Sequence, residues 1–269
     1  MKISLVLGFL LSASILLAQK PISILFVKDG LNESGNSFAM QKAMDSLSIQ
    51  YSTFDTKIAG KSPSFLYMQN FQLVIWYSSG IERNYVWNIG GSDNTGLTTY
   101  LDNGGNLWLI GNDFLAERFG NFSQQFRPEE FPNKYLGIST YKCHAVAEIS
   151  HEAECNLFPS EYCPISDLKS LSLAKMISNK VNVLTCNDLS VPVYQDHSAC
   201  QTQRSKSCEA ILCQNGASQV LTYAFDLNQQ IDFEGIKSNI SLVLSYFTQS
   251  ALEDQFDPKF YKVVAYPGY

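Results

Sequence analysis

The sequence predicts an α/β chain built on a doubly wound, mainly parallel sheet, and three observations carry that reading. Ile22 to Val27, Leu73 to Tyr77 and Leu107 to Ile110 are short continuous apolar runs bounded by turn residues, as strands covered on both faces require. Between them lie segments whose apolar residues recur at helical spacing. Alternation of such strands and helices implies right-handed crossovers and helices on both faces of the sheet, a three-layer sandwich.

The first strand lies between Pro21 and Asp29-Gly30. Phe38, Met40, Ala43, Met44 and Leu47 then mark a helix, with Asn36 or Ser37 available as its cap. Tyr51 to Phe54 reads as a second strand, Pro63 to Asn70 as a short helix or turn, and Leu73 to Tyr77 as a third strand ending at Ser78-Ser79-Gly80. Thr95 to Leu101 is a helix stopped by Asn103-Gly104-Gly105, and Leu107 to Ile110 is the fourth strand. Residues 114 to 137 read as helical or irregular, broken by Phe131-Pro132. Ala210 to Leu212 and Gln219 to Phe225 flank Asn215-Gly216, a hairpin signal. Ile231, Ile236, Ile240, Val243, Leu244 and Phe247 mark a long closing helix.

All seven cysteines, Cys143, Cys155, Cys163, Cys186, Cys200, Cys208 and Cys213, fall in one stretch, and His144, His151 and His197 lie there too. Periodicity is poor across it, so residues 139–213 read as an insertion stapled apart from the sheet. Residues 1–18 have the layout of a cleavable export signal, with Lys2, the apolar run Ile3 to Leu11, and Ala18 before Gln19. Export favours structural disulfides, with one thiol left over; their connectivity cannot be read from spacing. Cys143-His144 and His151 with Cys155 raise a zinc alternative, but no Cys-x-x-Cys pair exists, and neither metal nor cofactor is expected.

The formal charge of −6 comes without any Lys/Arg cluster, so a nucleic-acid partner has no electrostatic basis. No second apolar span follows the signal, so no membrane crossing is expected after cleavage. The expected layout is a signal over 1–18, one domain over 19–250, and a tail over 251–269.

Together, Ile24-Leu25-Phe26-Val27, Phe71 to Trp76, Tyr100-Leu101-Asp102-Asn103-Gly104-Gly105-Asn106-Leu107 and Tyr135-Leu136-Gly137 resemble the class I glutamine amidotransferase-like superfamily, which implies a flavodoxin-like fold. The nearest part resembles exported domains of Bacteroidetes-type proteins, as does the Ala18-Gln19 junction. Catalytic members of that superfamily carry a Gly-x-Cys-x-Gly elbow and a late histidine. Here the elbow reads Gly111-Asn112-Asp113-Phe114, and Leu221 to Phe225 runs into Asp226-Leu227-Asn228. Asparagine cannot form a covalent acyl intermediate, and no histidine lies near either segment. The resemblance therefore implies a chain without catalytic residues.

Lys28, Asp29, Ser78, Ser79, Asn112 and Asp113 follow strands one, three and four, and ligands of open α/β sheets gather at strand carboxyl ends. They are the candidate ligand-binding residues. Asn112 and Asp113 equally suit a helix cap. Trp76 and Trp108 read as core, while Tyr85 and Trp87 are better candidates for a surface platform. Asn-x-Ser sequons begin at Asn32, Asn121 and Asn239.

The favoured expectation is an exported binding or structural component whose partner is a protein or glycan of the cell surface or envelope. A hydrolase using Asp29, Asp113 and Asp226 is the competing class, favoured if their carboxylates face each other across a cleft. A third is a subunit that assembles with its own copies through the cysteine stretch and the aromatic C-terminus.

Overall fold

Nine strands hydrogen-bond into one mixed sheet in the computed structural model of this chain, which describes residues 22–29, 38–78, 84–88, 90–111, 114–120, 122–145, 155–173, 180–196, 207–227 and 232–256. The expected export signal and most of the expected tail lie outside them. In chain order the elements begin β1 (Ile24–Asp29), α1 (Phe38–Ser46), β2 (Ser52–Asp55), α2 (Thr56–Ala59), α3 (Phe65–Met68) and β3 (Leu73–Ser78). They continue with α4 (Thr95–Asp102), β4 (Asn106–Ile110), α5 (Phe114–Phe119), β5 (Gln124–Gln125), α6 (Phe131–Lys134), β6 (Ile138–Ala145) and β7 (Cys155–Pro159). The rest are β8 (Leu171–Leu173), β9 (Lys180–Cys186), β10 (Ser190–Asp196), β11 (Ser207–Cys208), β12 (Ala210–Asn215), β13 (Ser218–Tyr223) and α7 (Phe233–Phe256).

The large sheet runs β2-β1-β3-β4-β13-β12-β10-β7-β8. Pairing is parallel from β2 to β13 and antiparallel from β13 to β8. The chain is thus α/β as expected, but the sheet is mixed rather than mainly parallel. The reason is that the cysteine stretch does not stand apart: it supplies β7, β8 and β10, and with the β12–β13 hairpin it prolongs the sheet. Its other strands, β6, β9 and β11, join β5 in a separate sheet ordered β11-β9-β6-β5.

Strand alternation sorts the core into two faces. Phe26, Ile75, Tyr77, Trp108, Ile110, Leu221 and Tyr223 pack on one side with Met40, Ala43 and Met44 of α1 and with Ile236, Ile240, Val243, Leu244 and Phe247 of α7. The α7 residues recur at the i, i+4, i+7 spacing of one helical face, and their burial holds the helix against the sheet. Leu25, Val27, Val74, Trp76, Leu107 and Leu109 pack on the other side with α4, α5, α6 and with Ile138, Tyr141, Leu184, Cys186 and Cys208 of the smaller sheet.

A buried polar cluster orients α7. Asn239 Nδ2 donates to the hydroxyls of Tyr194 (2.9 Å) and Tyr223 (3.2 Å), and the Tyr194 hydroxyl donates to the Lys169 carbonyl. Asn239 is 3% exposed, so the sequon beginning there is closed to glycosylation in the folded chain.

Candidate functional site

The carboxyl ends of β1, β3, β4 and β13 lie side by side. Asp29 faces Ser78 in register, and the Gly111 amide donates to the Tyr223 carbonyl at 3.0 Å. Gly111 also passes against Ser78: a Cβ on it would lie 2.0 Å from the Ser78 carbonyl oxygen. Only glycine fits where two strand ends converge this closely.

Asp29 is 2% exposed and saturated with donors. Its Oδ1 accepts from Thr56 Oγ1 (2.9 Å) and the Tyr85 amide (2.9 Å). Its Oδ2 accepts from Trp76 Nε1 (2.7 Å) and the Val86 amide (3.0 Å). Burial pushes the carboxyl up from 3.8 to about 6, against the pull of these four donors. Each donor comes from a different part of the chain or a different backbone amide, so the carboxylate ties the end of β1 to α2, to β3 and to the segment beginning at Asn84.

That segment is pinned at further points. Asn94 Oδ1 caps α4 by accepting from the Leu97 amide, while its Nδ2 donates to the Tyr85 carbonyl. Glu117 of α5 accepts from the Asn84 amide through both carboxylate oxygens and from Asn84 Nδ2. Trp87 Nε1 donates to the Phe114 carbonyl at 2.7 Å. Arg118 lies over the Trp87 ring, 4.5 Å from its centroid, and pairs with Asp93. Asn84, Trp87, Asn88, Glu117 and Arg118 line a recess of about 340 Å³. Asn84 is buried, and its Oδ1 lacks a hydrogen-bond partner among the described residues. Trp87, expected as a surface aromatic, is buried because Arg118 and Phe119 cover it. Asn84, Glu117 and Arg118 went unmarked in the sequence, since nothing in their local spacing distinguishes them.

The predicted site residues do not all converge. Asp29 and Ser78 share one face, with Ser78 buried and its hydroxyl unpartnered among the described residues. Lys28 points to the opposite face and forms a half-exposed ion pair with Asp55 at 3.4 Å. Ser79, Asn112 and Asp113 lie outside the described residues. Of the carboxylates weighed for hydrolysis, Asp29 is fully engaged, and Asp226, also buried, accepts from the Tyr77 hydroxyl.

Among the cysteines, Cys186 and Cys208 are buried with their sulfurs 3.8 Å apart. The Cys213 thiol is buried and pushed up to about 12 by desolvation. Cys163 is partly buried against the Ile165 carbonyl. Cys143 and Cys155 belong to β6 and β7, with side chains outside the described residues, as is all of Cys200. Among the described residues no group of three or more His, Cys, Asp or Glu could hold a metal ion, and no helix is long and apolar enough to cross a membrane.

No protein-family model matches the chain, and no curated protein matches it. Solved structures do. A cytoplasmic protein from Salmonella typhimurium LT2 is similar at a TM-score of 0.56 and 12% identity, over 84% of this chain and 99% of that one. A β-galactosidase from the Antarctic haloarchaeon Halorubrum lacusprofundi gives 0.49 and 12%, over 86% of this chain and 30% of that one. A glutamine amidotransferase from Thermotoga maritima gives 0.40 and 10%, over 88% and 87%. At such identities a likeness speaks to the fold alone.

Proposed function

We propose that the chain is an exported, non-catalytic domain of the amidotransferase-like, flavodoxin-like kind, serving as a binding or structural component of the cell envelope or surface. One observation carries the reading: Asp29, at the carboxyl end of β1, accepts four hydrogen bonds from its own chain. A carboxylate so engaged is a clamp, its lone pairs already committed to donors of its own chain and its oxygens shut away from a substrate. The elbow sequence Gly111-Asn112-Asp113-Phe114 supports the same reading, because it offers neither thiol nor hydroxyl. The strand order β2-β1-β3-β4-β13 over the parallel half agrees with a flavodoxin-like arrangement.

The partner is a protein or glycan of the surface, received at the recess lined by Asn84, Trp87, Asn88, Glu117 and Arg118. Two experiments test this. Fractionation with N-terminal sequencing is expected to find protein outside the cytoplasm beginning near Gln19. Sedimentation of purified protein with isolated envelope is expected to give saturable binding without loss of substrate from glutamine, ester or glycoside mixtures. Cytoplasmic, unprocessed protein, or turnover of any of these substrates, would count against it.

A further inference from the structure

Twice within a short distance the chain leaves the smaller sheet for the large one, and a cysteine stands at each of these two crossings. Cys186 ends β9 in the smaller sheet, after which the chain enters β10 of the large one. Cys208 ends β11 in the smaller sheet, and after the single residue Glu209 the chain enters β12 of the large one. β9 and β11 are antiparallel neighbours, with Cys208 opposite Leu184, so the two crossings are adjacent. Their sulfurs stand 3.8 Å apart as two thiols in hydrogen-bond contact, within the core shared by both sheets.

We propose that Cys186 and Cys208 are the sites of a disulfide that locks the smaller sheet onto the larger. The gap of about 1.8 Å between this contact and a covalent S–S length is less than a sulfur travels between staggered positions about Cα–Cβ. The bond ties both crossing points together and closes a loop containing β10, whose antiparallel pairing with β12 and β7 extends the large sheet. Cys213, also in that core, is the competing partner for Cys186. It sits within β12, however, beyond the crossing, and opposite Ser190 in register.

The oxidant is a disulfide compound such as oxidised glutathione, acting by thiol exchange before burial closes the site. One thiolate attacks a glutathione sulfur and expels reduced glutathione; the second attacks the mixed disulfide and expels another. Both cysteines lose a proton, and the two electrons leave on the two glutathione thiols.

The test refolds full-length, reduced protein in a mixture of reduced and oxidised glutathione, then alkylates, digests and maps disulfides by mass spectrometry. A peptide joining Cys186 to Cys208 is expected. Reduction should lower the melting temperature by about 5–10 °C, the size expected for a loop of this length in a domain of this size. The same shift should persist in Cys213→Ala and vanish in the double variant Cys186→Ser with Cys208→Ser. If refolding fails, the same map is made on protein recovered from an oxidising compartment. Linkage of Cys186 to Cys213 or any other cysteine, or alkylation of both residues after oxidation, overturns the proposal.

Discussion

Trp76 donates its indole N–H to Asp29 Oδ2 at 2.7 Å, diagonally across β1 and β3 on the face that carries α4 and α5. The bond satisfies the one polar atom of a tryptophan that is otherwise core, and it supplies one of four donors to a buried carboxylate. Together they turn the edge where such sheets bind ligands into a joint between segments.

Removing that joint should be costly. In Asp29→Ala the Trp76 indole, the Thr56 hydroxyl and the Tyr85 and Val86 amides all lose an acceptor. A loss of about 3–5 kcal/mol is expected, as for other buried charge networks broken from one side. Urea unfolding with tryptophan fluorescence reads it directly. A loss below about 1 kcal/mol would mean that water replaces the carboxylate.

Asp29 also gives the stability a definite slope with pH. Its folded value of about 6 lies above the ordinary 3.8, so folding favours the protonated form. Its contribution is therefore fully present below about pH 3.8, declines as pH rises, and is lost above about 6, a span of about 3 kcal/mol. Urea midpoints for the wild type and for Asp29→Asn, which cannot titrate, should diverge in slope across this window. Parallel curves would assign the residue an ordinary value.

Gly111→Ala is expected to abolish soluble folding or cost more than about 3 kcal/mol, because its methyl would lie 2.0 Å from the Ser78 carbonyl oxygen. Both partners are backbone at strand ends, so neither can rotate away. Gly60→Ala provides the contrast: it meets no atom within 4 Å, though its positive φ still carries a small cost. Thermal melts of the two variants measure the difference.

Asn239→Ala should loosen α7. The Tyr223 hydroxyl would be left without its amide partner in a fully buried position, and about 1–3 kcal/mol is expected. Hydrogen exchange would then rise in α7 ahead of β1 and β3. Unchanged exchange would indicate that packing by Ile240, Val243 and Phe247 alone holds the helix.

The strands at the centre of the sheet were legible because both faces are covered, and a continuous apolar run follows from that. α7 and the β12–β13 hairpin were legible for equally local reasons, although the two-residue turn is Gly216-Ala217, with Asn215 still paired to Ser218. The strands of the cysteine stretch were not. β10 contains Pro192, which argues against an interior strand; the register shift between Pro192 and Tyr194 is the irregularity that accommodates it. Asp29 could be picked out by its place after a strand. Its role could not, because its donors lie 27 to 57 residues away along the chain. Lys28 was drawn into the same site by sequence adjacency, which in a strand sends neighbours to opposite faces.

Whether the carboxyl edge of this sheet is a structural joint or a reaction centre is decided by initial-rate assays of purified full-length protein. Glutamine, aryl esters and aryl glycosides would be supplied over a wide concentration range. Rates equal to buffer alone are expected. Saturable turnover that disappears in Asp226→Asn or Asn112→Ala would contradict the structural joint.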